Sequence, residues 1–179
     1  MGSAIRRIDW LLGATIGLCW TALVLLGIGF GALLLSIPSL FIFKGRILGE
    51  IASKYPGHGV AEYPWIVVIL IASAIIVGLT FLFFKALLDI VMSVATGDPL
   101  TTANAARLER MGWLAIGVKA FGFVAAAIAT EFTKMLPKAN LKFDGDLDPS
   151  VVMLVLLLFV LARVFRVGAA MRAELEGTV

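Results

Sequence analysis

Lys119 and Arg163 are the residues of this 179-residue chain whose chemistry most needs explaining, because each sits inside a long apolar run. Lys119 lies about seven residues into the run from Gly112 to Thr130, which is roughly 10 Å along a helix. A charge near the centre of a bilayer costs on the order of 2.5–3.5 kcal/mol on insertion scales, so something must offset it. Arg163 falls at a similar depth in the run that begins at Val151, and Arg166 follows one helical turn later. Asp89 and Glu109 are the nearest carboxylates. Two readings stand: a buried polar cluster lining an anion path, as in a small transporter, channel or channel subunit, or long basic stems that snorkel to the headgroups.

Other reactive side chains carry less. Asp144, Asp146 and Asp148 are spaced like the opening of a calcium loop, but the sixth and twelfth positions hold Pro149 and Val155 where glycine and glutamate are needed. Asp148 before Pro149 instead has the form of a helix cap followed by a proline at the first helical position. The single histidine, His58, lies in the turn-rich stretch from Tyr55 to Val60 and cannot by itself build a metal cluster or a triad. The single cysteine, Cys19, lies within the first apolar run, so no internal disulfide can form. No P-loop, dinucleotide-binding glycine fingerprint or HExxH occurs. The expectation is a protein that is not an enzyme, with no catalytic residue, metal or cofactor.

The elements that must position these residues are set by composition. Hydrophobic residues make up 61% of the chain and charged residues 15%, against about 45–50% and about 25% in soluble proteins. A soluble domain this small could not hide so much apolar surface, so lipid is the expected solvent. Four runs are long enough to cross a hydrocarbon core of about 30 Å: about 10–37, 63–84 continuing as helix to about 95, 112–130, and 151–167 continuing as a tail. With no water to satisfy backbone groups, each must be helical. The fold class expected is all-α, one transmembrane domain over residues 1–179 forming a four-transmembrane-helix bundle. The first run is far longer than a signal-peptide core and lacks a small-residue cleavage site, so it is expected to remain as an anchor.

The connections add detail. Lys44 to Lys54 reads as a short amphipathic helix resting at the interface. The second run breaks at Thr96-Gly97-Asp98-Pro99, where Asp98 and Pro99 predict a helix start, and a second amphipathic helix over Thr102 to Met111 leads into the third run. Arg6, Arg7, Lys85, Arg107, Arg110, Arg163, Arg166 and Arg172 fall on one side of the expected membrane, outnumbering Lys44, Arg46, Lys54, Lys134, Lys138 and Lys142 on the other. That bias, with the paired arginines before the first helix, places both termini in the cytoplasm.

Small residues recur at helical spacing: Gly13 with Gly17, Gly27 with Gly31, and Gly122 with Ala126. They let helix backbones approach closely, either within the bundle or between two copies in a homo-oligomer. In the tail, Arg172 and Glu176 stand at i,i+4, a pairing worth tenths of a kcal/mol on one helix face. That face is either a solvated helix end or a docking surface.

Taken together, Gly97-Asp98-Pro99, Asn104, Arg107-Leu108 and Gly112-Trp113 resemble the central stretch of a bacterial membrane family known as domain of unknown function 2975. Ala162-Arg163, Phe165-Arg166, Gly168, Met171-Arg172 and the terminal Glu176-Gly-Thr178-Val179 resemble its C-terminus. The motif match spans about Asp98 to Val179; the first two runs match only as hydrophobic spans. The resemblance implies a small four-helix protein of the bacterial cytoplasmic (inner) membrane, whose gene often lies beside that of a helix-turn-helix regulator. It therefore implies a membrane regulator or sensor that presents a cytoplasmic surface to such a partner, with the lipid bilayer as its solvent and no direct contact with nucleic acid. Asp98, Asn104, Arg107, Arg163, Arg166 and Arg172 match the family motifs, and with Glu176 they are the candidate cytoplasmic-face interaction residues. Lys119 matches none.

Overall fold

The computed structural model describes residues 2–54, 63–135 and 148–176, and all the secondary structure among them is helical. The order is α1 (Gly2–Ile42), α2 (Lys44–Lys54), α3 (Tyr63–Ala95), α4 (Thr102–Met135) and α5 (Pro149–Glu176). Four of these are long and apolar enough to cross a membrane, over Trp10–Ile42, Tyr63–Ala95, Thr102–Thr133 and Pro149–Leu175. At about 1.5 Å per residue even α5, the shortest of them, runs to roughly 42 Å, so all four outlast a hydrocarbon core of about 30 Å. Large apolar side chains such as Leu25, Leu35, Phe123 and Val160 are exposed on these helices, which suits a chain whose surroundings are lipid.

Two boundaries differ from expectation for identifiable reasons. α1 does not end at Ile37 but runs through Pro38. The proline lacks the N–H that would reach Leu34, and Ser36 and Ser39 hydroxyls donate to the carbonyls of Ala32 and Ser36 at 2.8 and 2.7 Å, keeping the turn's polar groups engaged. The ladder then continues across Phe43, with Phe43 N–H donating to Ser39 at 2.9 Å and Ile47 N–H to Phe43 at 3.0 Å, so α2 follows α1 almost without a break. The second difference is α4, where the expected amphipathic helix and the third span are one helix. Gly112 does not interrupt it, because it serves packing: a Cβ there would lie 2.8 Å from the Phe159 ring of α5.

Residues within Met1–Leu26, Leu79–Ile116 and Asp148–Val179 form one compact unit, and those within Gly27–Gly78 and Gly117–Leu147 a second. In the first, Ala86, Ile90, Leu108, Met111, Leu158 and Ala162 form a buried cluster from α3, α4 and α5, flanked by Phe83, Leu87, Leu161 and Phe165. Cys19 and Leu23 of α1 pack against Leu88 of α3 in another. In the second unit, Phe30 packs over Gly78, 3.3 Å from where a Cβ would stand.

The α3–α4 turn corrects the expected helix start. α3 ends in a Schellman motif: Gly97 N–H donates to Val94 at 3.1 Å and Asp98 N–H to Ser93 at 3.2 Å, with Gly97 at φ +84°. That left-handed conformation is the reason for a glycine here. Asp98 therefore belongs to the end of α3 and does not cap α4. The cap is Thr101, whose hydroxyl accepts from Asn104 N–H at 3.1 Å. The corresponding expectation for α5 is met, since the Asp148 carboxylate accepts from Ser150 N–H at 2.9 Å.

Candidate functional site

The candidate site grows out of this turn. Asn104, one turn into α4, is the sole buried polar or charged residue among those described, with no exposure at all. A buried amide is costly unless its hydrogen-bonding capacity is used. Its Nδ2 donates to Ser93 Oγ at 2.8 Å and to the Pro99 carbonyl at 2.9 Å. Its Oδ1 accepts from Arg107 Nη1 at 2.8 Å. This set fixes the amide's orientation, because a flipped side chain would aim its NH₂ at a guanidinium. Ser93 in turn donates to the Asp98 carbonyl at 2.7 Å, and Arg107 reaches the Asp89 carbonyl at the outer limit of 3.5 Å. One side chain thus ties together the last turn of α3, the connecting loop and the first turns of α4.

α5 is clamped to the same region. Arg166 pairs with Glu109 of α4 at 2.6 Å, and Arg172 pairs with Asp98 in the turn. Between them Leu100 lies against Gly168, 3.3 Å from the position of a Cβ. Further along, Phe159 covers Gly112 and meets Trp113 edge-on with ring centroids 5.6 Å apart. About half of each ion-paired side chain is exposed, so each pair is worth at most about 1 kcal/mol and weakens with salt. Donors and acceptors are matched throughout, which makes the arrangement a joint between turn and tail.

Of the candidate residues, Asp98, Asn104, Arg107, Arg166 and Arg172 come together in this joint. Arg163 is exposed on α5, and Lys119 is half-buried in α4. Lys119 takes part in an interaction of its own. The Glu176 side chain lies outside the described residues, as do His58, Asp144, Asp146 and the side chains of Arg6, Arg7, Lys134, Lys138 and Lys142. A Cβ added at Gly13, Gly17, Gly31 or Gly122 would meet nothing within 4 Å, so among the glycines described the close approaches within the chain fall at Gly78, Gly112 and Gly168. Ser93, Thr101, Leu100 and Phe159 complete the joint and were not singled out by the sequence. The only local signal for them was the Thr101-x-x-Asn104 spacing of a cap. Among the described residues no group of three or more His, Cys, Asp or Glu is placed to hold a metal ion.

A model of a protein family described as a protein of unknown function, DUF2975, matches residues 46–179, which contain the whole joint. No curated protein and no solved structure matches the chain.

Proposed function

We propose, from the premise that this chain belongs to the DUF2975 family, that it is a non-enzymatic membrane regulator or sensor whose α3–α4 turn and α5 tail form one docking surface for a soluble protein. Four crossings return the chain to the side it started from, and the lysine and arginine bias makes that side the cytoplasm. The membrane is then the cytoplasmic membrane of a bacterium, and the partner a helix-turn-helix regulator of the kind that the family resemblance suggests.

The observation that carries this reading is the convergence of Asp98, Asn104, Arg107, Arg166 and Arg172 on a single joint. These residues belong to the recognisable motifs, and they hold together two segments far apart in sequence. Lipid-facing packing alone does not require that arrangement, because the ion pairs add little stability. A surface that must keep its shape for a partner does.

The test is co-purification of the full-length protein with the regulator encoded beside it, compared with Asp98→Asn, Arg172→Gln and a chain ending after Arg163. Retention by the native chain and loss in the truncated one is the expected result. Equal retention by all of them removes the docking surface from the tail and the turn.

A further inference from the structure

We propose that the end of α5, from Gly168 onward, is a latch that docks on the α3–α4 turn through the Arg172–Asp98 pair and swings off it as ionic strength rises. The turn is a rigid receiver. The Schellman close of α3 and the Asn104 network hold it through hydrogen bonds made within α3, the connecting loop and α4. None of those bonds comes from α5.

α5 changes character at Gly168. Before it, Leu158 and Ala162 lie in the buried cluster with α3 and α4, Phe159 covers Gly112, and Arg166 meets Glu109 at 2.6 Å. Beyond it, Ala169 is buried, and then every side chain from Ala170 to Leu175 is exposed. Packing gives way to charge. Arg172 reaches back to Asp98 with about half of each side chain in water.

The sequence supplies both a hinge and a stiff arm. Gly168 is the only glycine in α5, and glycine is the weakest helix former after proline. The contact that Leu100 makes with it is slight, since Leu100 is itself exposed. Ala169 to Leu175 are alanine, methionine, arginine, glutamate and leucine, all strong helix formers, so the arm stays helical whether docked or not. A stiff arm with a hinge at one end and a half-exposed ion pair further along has two states of similar free energy, which a small change in conditions can redistribute.

Ionic strength is the condition to which such a pair responds, because the Debye length shrinks from about 30 Å at 0.01 M salt to about 3 Å at 1 M. The apolar packing before Gly168 has no such dependence. The latch stands on this geometry alone. Its consequence, that turn and tail form one surface when docked and two when apart, rests on the docking reading.

The test uses the full-length protein in a Cys19→Ala background, in phosphatidylcholine nanodiscs with no partner present. Spin labels at Thr96→Cys on the turn and Ala173→Cys on the arm report docked and undocked fractions by pulsed dipolar spectroscopy. Between about 0.01 M and about 1 M potassium chloride the docked-to-undocked ratio should fall by up to about fivefold, the ceiling set by about 1 kcal/mol for one half-exposed pair. Sucrose of equal osmolality should leave the ratio unchanged. Asp98→Asn and Arg172→Gln should each give the low ratio at every salt concentration, and Asp98→Arg/Arg172→Asp should restore the response. A second label pair, Ala106→Cys with Val164→Cys, spans the packed part of α5 and should keep one distance throughout. A parent ratio that ignores salt, a response that persists in both single variants, or equal movement at the second pair overturns the latch. A latch that responds while the partner is retained equally by every chain removes the docking reading alone.

Discussion

Replacing Asn104 by alanine removes one side chain and disturbs three segments, the end of α3, the connecting loop and the start of α4. The Arg107 guanidinium loses its 2.8 Å acceptor and keeps only the long contact to Asp89. Hydrogen bonds to charged groups contribute about 1.5–3 kcal/mol and neutral ones about 0.5–1.5 kcal/mol. The Pro99 carbonyl retains Thr101 N–H at 3.2 Å, and Ser93 retains Asp98, so the two neutral losses fall at the low end of their range. The expected total is about 2–4 kcal/mol of local stability. Asparagine-to-aspartate should be no milder: although it gains charge attraction to Arg107, it would set a carboxylate oxygen against the Pro99 carbonyl and desolvate a charge. The assay is hydrogen exchange of the α3–α4 turn in bicelles, read alongside reversible unfolding in mixed micelles. A loss of about 2–4 kcal/mol corresponds to amides exchanging roughly thirty to nearly a thousand times faster. Unchanged exchange and a stability loss below about 0.5 kcal/mol would mean that Asn104 does not hold the joint, and the reasoning from its burial would fail.

Three further outcomes follow from the same geometry. Gly112→Ala gains about 1 kcal/mol in helix preference but forces the Phe159 ring aside, at about 1–3 kcal/mol; net destabilisation is expected in micelle unfolding, relieved when Phe159→Leu is added. A double-mutant cycle on Asp98→Asn and Arg172→Gln should give a coupling of about 0.2–1 kcal/mol that shrinks as salt is raised, and a salt-insensitive coupling above about 2 kcal/mol would contradict a half-exposed pair. Tyr63→Phe should lower stability in micelle unfolding by about 0.5–1.5 kcal/mol through the lost hydroxyl bond to the Leu40 carbonyl.

Much of the fold was legible because lipid leaves a chain so few choices. The spans, α2 at Lys44–Lys54, the continuation of α3 to Ala95 and the cap at Asp148 all rest on length, amphipathic spacing or a local start signal. Asp98 shows where local signals fail. A short acid before proline opens a helix at Asp148, yet Asp98-Pro99 stands just after a glycine that can turn left-handed, and the close of α3 takes precedence. The glycines show a different limit of local signals, for contacts within the chain. Spacing marks Gly13 and Gly17, but whether another helix presses on a glycine depends on the tertiary partner, and that partner is Phe159 at Gly112 and Phe30 at Gly78. The joint was half visible. The motifs supplied Asp98, Asn104, Arg107, Arg166 and Arg172 but not Ser93, Thr101, Leu100 or Phe159, and the pairing of Arg166 with Glu109 and of Arg172 with Asp98 joins positions 57 and 74 residues apart, where no local rule reaches.

The length of α3 has a bearing on who can reach that joint. With Tyr63 at one edge of the hydrocarbon, about 20 residues suffice to traverse it, which brings the chain to Phe84, and Lys85 is the first charge met. The remaining stretch to Ala95 adds roughly 16 Å, more than the polar layer of one leaflet, which is about 5–8 Å deep. On the docking reading proposed above, α3 would then act as a pedestal, carrying the turn past the headgroups to where a water-soluble partner can grip it.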